Sequence, residues 1–387
     1  MRRLRRIGLV LLALLAVAIA WEPTRVGLQT AVMLPNLLGS GPTPLTWFSE
    51  APQRTSLPYR EGRDGEPELA ELWLPAWASP ERRAGAVLLV LGANNVGRNH
   101  PVVARVADAL ARTGAAVLVP DSRLLLEGRL EAGEIDGVVL AFEALAARPE
   151  VDPERIGIAG FSVGGSLSLL AARDPRIASE VRWVNAFGAY ADAATYLGSV
   201  AAHAHLDDAG SPVAWEPSPL AREIYVRFAL AQVTDQADRS ALSAAFAEAV
   251  AAGERPSADP ELRAGLRSDA ARAVHDLITS PSLQAAATAI DALPAASREF
   301  IDVISPVRHL DGLAADVFLM HETTDHHVPF VESRALAAAL EPSGLLRQFS
   351  EFRLFDHVQP DDIDVIAAAP ELVRLLLHVR TLMEETL

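Results

Sequence analysis

Apolar and polar positions change period along this chain, and those changes divide it. Residues 55–60 and 68–74 alternate as half-buried strands do, and they flank Gly62-Arg63-Asp64-Gly65, whose Asp-Gly step is a strong turn signal. The pattern predicts an antiparallel opening. From Ala86 the apolar runs become continuous. Residues 86–91, 115–119, 156–159, 181–187, 316–320 and 346–355 read as buried strands, while 101–112, 134–147, 166–172, 331–340 and 363–386 carry helical spacing. Strands apolar on both faces, alternating with helices, predict an α/β fold: a mostly parallel central sheet with helices on both faces. Residues 190–300 break the alternation. They are alanine-rich, helical in period and without a convincing strand, so they predict a helical insertion, a lid, between core segments 54–189 and 301–387.

The N-terminal residues follow another logic. Arg2, Arg3, Arg5 and Arg6 precede an apolar stretch at 7–20, then Trp21, so residues 1–21 are expected to be a signal peptide or an N-terminal membrane anchor. Ala18-Ile19-Ala20 fits the small-x-small pattern of a cleavage site; Trp21 fits an interfacial anchor. Either way the arginines stay in the cytoplasm, and the rest is expected outside it, at the cell membrane or, if cleaved after Ala20, secreted or periplasmic. Residues 22–53, with Gly39-Ser40-Gly41-Pro42, read as a connecting arm.

Composition removes several chemistries. With 387 residues, half of them hydrophobic, the chain has ample material for a large core. It has no cysteine, which excludes disulfides, thiolate metal sites and a cysteine nucleophile, and no lysine, which excludes a Schiff base and a P-loop lysine. A net charge of −16 and the lack of an arginine stripe interleaved with aromatics after the leader argue against a nucleic-acid partner.

The candidate chemistry lies at strand ends, where open α/β sheets collect their functional groups. Gly160-Phe161-Ser162-Val163-Gly164-Gly165 sits between a strand and a helix, the strand-turn-helix setting of a nucleophile elbow. Asp325 follows the strand at 316–320, in His321-Glu322-Thr323-Thr324-Asp325-His326-His327. His357 follows the last strand in Phe355-Asp356-His357. The order is Ser, Asp, His. Glu322 and Asp356 compete with Asp325 as the acid. Glu322 lies nearer the strand end, and Asp356 adjoins His357, from which it diverges in extended chain. A metal site built from His321, Asp325, His326 and His327 is the rival reading. The spacing is not that of a zincin, because the position four after His321 is Asp325 and the segment is not helical in pattern. His203 and His205, within the insertion, are expected to face solvent, and no cofactor is implied.

These residues resemble the α/β-hydrolases, in the group related to dienelactone hydrolases. The likeness covers about residues 86–199 and 305–387 and rests on Pro120-Asp121, the Gly-Phe-Ser-Val-Gly-Gly elbow, the segment from Asp325 to Val328-Pro329, and Asp356-His357. It implies that Ser162 is the nucleophile, His357 the general base and Asp325 the carboxylate that orients it. By the same likeness the backbone N–H groups of Val163 and Ala93 form the oxyanion hole. Asn94 and Asn95 either shape the turn beside Ala93 or take part directly. Two positions depart from the group: Ser162 replaces the cysteine of dienelactone hydrolases proper, and Leu91-Gly92 replaces a common His-Gly. The expectation is a serine hydrolase that cleaves a small-molecule ester or related acyl bond through an acyl-enzyme, with Trp183, Phe187 and Tyr190 as pocket candidates. An acyltransferase or peptidase with the same triad, and a non-catalytic binding protein of this fold, are the alternatives.

Overall fold

The computed structural model describes residues 22–38, 43–94, 96–252, 254–356, 359–360 and 368–387. Its strands are β1 (Gln53–Glu61), β2 (Pro67–Leu74), β3 (Ala84–Val90), β4 (Ala116–Pro120), β5 (Val151–Phe161), β6 (Val181–Phe187), β7 (Ala204–Leu206), β8 (Pro212–Ala214), β9 (Asp316–Glu322), β10 (Leu346–Phe352), β11 (Phe355–Asp356) and β12 (Gln359–Pro360). Eight of them form one sheet in the order β1-β2-β4-β3-β5-β6-β9-β10. The pairings β1/β2 and β2/β4 are antiparallel, and every pairing from β4 to β10 is parallel. The antiparallel opening turns at Gly62–Gly65, where Gly65 has φ 80° and its N–H donates to the Gly62 carbonyl.

Strand parity sorts the core into two layers. On β3, Ala86, Leu88 and Val90 face the helices Gly133–Ala146, Val163–Ala171 and Val331–Leu340, whereas Val87 and Leu89 face Glu22–Leu38, Pro101–Thr113 and Ala369–Thr386. Both faces are apolar because both are covered, which is why these strands read as unbroken hydrophobic runs.

The insertion has a hydrophobic cluster of its own. Leu197, Tyr225, Leu242, Phe246, Val274 and Ile290, from five helices between Ala193 and Asp291, bury one another, and Val328 of the segment after β9 joins them. Its base is stitched shut. The buried Glu332 carboxylate accepts from Ala191 N–H at 2.8 Å and Thr195 Oγ1 at 2.7 Å; Ser305 Oγ accepts from Ala193 N–H at 2.9 Å; Val307 N–H donates to Ala191 O at 3.0 Å. Burial pushes the Glu332 carboxyl above its ordinary range, and these donors pull against it.

Three expectations change. The connecting arm at 22–53 is partly helical: Glu22–Leu38 is an α-helix whose Val26 and Met33 are buried against the helices Pro101–Thr113 and Ala369–Thr386. The insertion does contain strands, the hairpin β7/β8. Three-residue strands are too short to show a period, and their turn is made by Asp207, whose carboxylate accepts from Ala209 and Ser211 N–H, with Gly210 at φ 76°. The last strand of the sheet stops at Phe352 rather than 355, and Phe355–Asp356 pairs instead with Gln359–Pro360. The closing helix is described from Ala369; residues 361–367 lie outside the described residues. No helix among the described residues is long and apolar enough to cross a membrane, and residues 1–21 lie outside them.

Candidate active site

β5 ends at Phe161 and the helix Val163–Ala171 begins two residues on, leaving Ser162 alone in the turn. Its backbone stands at φ 54°, ψ −131°, a conformation an L-residue holds at a cost of order 1–3 kcal/mol. The strain is held from both sides: Ser162 N–H donates to Phe187 O at 2.8 Å, and Ser162 O accepts from Gly165 N–H at 2.8 Å. Two glycines admit the turn. A Cβ on Gly164 would lie 2.6 Å from the Leu91 and Val90 carbonyl oxygens, and one on Gly92 would lie 2.8 Å from Ser162 Cβ. Glycine at position 92 therefore lets the loop after β3 lie against the serine.

That loop carries Ala93. Asn94 builds it: its Nδ2 donates to Gly92 O at 2.9 Å, and its Oδ1 accepts from the N–H groups of Val96 and Gly97. Asn94 is thus a turn-former, and Asn95 lies outside the described residues. Asp121, at the end of β4, fixes the far side. It accepts from Arg98 N–H at 2.7 Å and pairs with the Arg98 guanidinium, while Gly97 at φ 64° leaves room for its carboxylate. Burial raises the Asp121 carboxyl above its ordinary range and the Arg98 contacts lower it. Sequence reasoning quoted Pro120-Asp121 only as part of a likeness; the physical role is this clamp. Val163 is the first residue of its helix, where N–H groups lack an intrahelical acceptor. Ala93, Ser162 and Val163 all line one cavity.

Asp325 is fully buried at its carboxylate. Oδ1 accepts from His327 N–H at 2.6 Å and Val328 N–H at 3.1 Å, and Oδ2 lies 3.3 Å from His321 Nε2. His321 is itself enclosed, with Nδ1 2.6 Å from Ser333 Oγ and Nε2 3.0 Å from Val328 O. The ring is committed to holding the loop rather than to a metal, and no group of three or more metal-binding side chains occurs among the described residues. Glu322 accepts from Thr324 N–H and from Leu354 N–H, the latter at 2.6 Å, and so ties the segment after β10 to β9. His357 lies outside the described residues, as does the side chain of Asp356.

The insertion grips the acid loop directly. Trp215 Nε1 donates to Asp325 O at 2.7 Å, Ser218 N–H donates to His326 O at 2.6 Å, and His326 Nδ1 bonds to Glu216 O at 2.8 Å. His203 and His205 were expected in solvent. Instead His205 is buried against Phe330, and His203, in a left-handed backbone conformation, pairs with Glu216 and receives Trp215 N–H on its carbonyl.

The cavity that holds Ser162 has a volume of about 430 Å³, within the roughly 300–1,000 Å³ of small-molecule sites. Trp183, Phe187 and Tyr190 line it, together with Leu220, Ile224 and Phe228 from the insertion. Tyr190 stacks on Tyr196 at 5.6 Å, and burial drives both hydroxyls up, so they remain neutral.

No protein-family model matches the chain, and no curated protein matches it. Solved structures do. A candidate dipeptidyl aminopeptidase IV from Bacteroides ovatus is 15% identical at a TM-score of 0.51, covering 87% of this chain and 36% of its own. A puromycin-hydrolyzing peptidase of Mycobacterium tuberculosis is 17% identical at 0.50, covering 87% and 39%. Dienelactone hydrolase from Anabaena variabilis is 15% identical at 0.43, covering 87% and 100%. The chain spans well under half the length of the two peptidases it matches. Sheet order, the strained serine turn and the two stronger matches agree: this chain has the α/β-hydrolase fold.

Proposed function

We propose that this protein is a serine hydrolase that cleaves an ester or related acyl bond of a small molecule through an acyl-enzyme. The observation that carries the reading is Ser162, held at φ 54° between strand and helix and opening on an apolar cavity. Ser162 Oγ attacks the acyl carbonyl carbon while His357 takes the hydroxyl proton, and Asp325 steadies the imidazolium. The negative oxygen meets the N–H groups of Val163 and Ala93. The bond to the leaving group breaks, and that group departs with the proton from His357. Water then repeats the sequence on the acyl-enzyme, releasing the acid and restoring the serine. No cofactor takes part. The enzyme works outside the cytoplasm, delivered by residues 1–21 as anchor or cleaved signal.

An ester rather than a peptide bond is favoured by the cavity, whose lining is overwhelmingly apolar side chains with few groups to bind a peptide backbone. The peptidases among the structural neighbours share the fold, and the same triad would serve an amide. Turnover of p-nitrophenyl butyrate set against a dipeptidyl p-nitroanilide separates the two. The account expects the ester to be turned over and Ser162→Ala to lower kcat by at least ~1,000-fold. Turnover that survives Ser162→Ala overturns the mechanism; a folded wild-type protein inert to both substrates supports the binding-protein alternative.

A further inference from the structure

The cavity at Ser162 does not stop beneath the insertion. It continues down the sheet, between the strands and the helices Glu22–Leu38, Pro101–Thr113 and Ala369–Thr386, where Val87, Ala159, Trp183, Val106 and Val379 line it. Parity and register explain the channel. Leu91, Leu89 and Val87 descend from the end of β3, and Phe187, Asn185 and Trp183 descend β6, each series facing the same helices. Between them β5 offers Ala159, paired with both Leu89 and Asn185, so the central strand carries a methyl group where its neighbours carry full side chains. Below Ala159 comes Gly157, and the Trp183 ring lies across it, closing the floor. From Phe187 to Trp183 the channel descends about 13 Å at the ordinary rise of a strand.

Its walls give water little to hold. Asn185, the polar side chain midway down, has its Oδ1 bonded to His378 Nε2 at 2.9 Å and its Nδ2 directed to Met320 Sδ at 3.6 Å. An apolar space of this kind stays dry or takes an apolar ligand, and leaving it unfilled weakens a core. We infer that it is the acyl-chain site, and that the substrate is an ester of a medium or long unbranched fatty acid, whose carbonyl rests at Ser162 while its tail runs between the sheet and the closing helix. The inference rests on the serine-hydrolase reading for the bond that is cut, but not for the tail's location.

Two measurements separate those parts. Binding of decanoate to the full-length Ser162→Ala protein, followed by calorimetry, is expected to weaken at least tenfold when Ala159→Phe or Val379→Trp is added, each variant checked for a native thermal melt. With Ser162 intact, p-nitrophenyl decanoate is expected to exceed the acetate in kcat/KM by at least tenfold. The same filling variants are expected to lower kcat/KM for the decanoate far more than for the acetate, so that the preference falls below threefold. Absence of decanoate binding, or binding indifferent to both variants, overturns the channel. Decanoate binding that responds to the variants in a protein without esterase activity keeps the channel and sinks the serine-hydrolase reading. Val379→Trp enters from a half-buried helix position, so it stands in if Ala159→Phe fails to fold.

Discussion

Position 162 concentrates the strain of the molecule, and its neighbours show why the residues around it are small. Placing a Cβ on Gly92 brings it 2.8 Å from Ser162 Cβ and 3.0 Å from Phe161 O, in a region with no flexible side-chain end to move aside. Gly92→Ala is therefore expected to destabilise by about 1–3 kcal/mol and to slow reaction of Ser162 with an acylating probe more than tenfold, read from urea unfolding and labelling rates. His378 gives a second residue-scale prediction. It is fully buried, bonded to Ser350 Oγ and Asn185 Oδ1, and burial lowers its pKa to about 3. A base whose folded pKa lies below its unfolded value of 6.5 contributes stability above 6.5, which is lost as pH falls toward 3. Between pH 7 and pH 5 the loss amounts to about 2 kcal/mol. Urea midpoints of His378→Gln are expected to show a shallower acid limb by that amount; an unchanged limb contradicts a neutral buried imidazole. The strained turn at Ser162 was legible because glycine spacing, a preceding apolar strand and a following helix are local signals. The Ser350–His378–Asn185 group was not, since its members are 28 and 193 positions apart and nothing local marks them.

Among the elements, the insertion is hydrogen-bonded to the loop that carries Asp325. Trp215 reaches from the insertion to the carbonyl of Asp325, and the loop also leans on His321. Trp215→Phe keeps an aromatic ring, though a smaller one, and removes the N–H, so it is expected to cost at least about 1 kcal/mol and to lower kcat about tenfold through a loosened Asp325, with KM nearly unchanged. Equal kcat in variant and wild type would show that the insertion does not steady the acid. The central strands of the parallel core were readable because both their faces are buried, and its helices because their apolar residues recur at helical spacing. The β7/β8 hairpin was not, being three residues per strand. The helix Glu22–Leu38 was not named from the sequence because Gly39 to Pro42, just beyond it, read as linker composition, and only packing against two other helices shows its buried side.

At the scale of the whole molecule, the insertion and the sheet bury separate clusters, and the cavity lies where both meet Ser162 and then passes into the lower one. Filling that space is expected to stabilise the fold as a whole: decanoate at 100 times its Kd raises the unfolding free energy by about 2.7 kcal/mol, seen as a higher Tm, and acetate does not. Trp183, Phe187 and Tyr190, the pocket candidates of the sequence, all line the cavity. The descent along β5 depends on the Ala159 and Gly157 positions lining up with neighbouring strands, and register across a parallel sheet is not written in any one segment. The central claim is an activated Ser162. Its most direct measurement is reaction of the full chain with a fluorophosphonate, the modified residue being located by peptide mass spectrometry. The account predicts a single adduct on Ser162, abolished in Ser162→Ala and in His357→Ala; a folded protein that takes no label, or takes it at another residue, contradicts it.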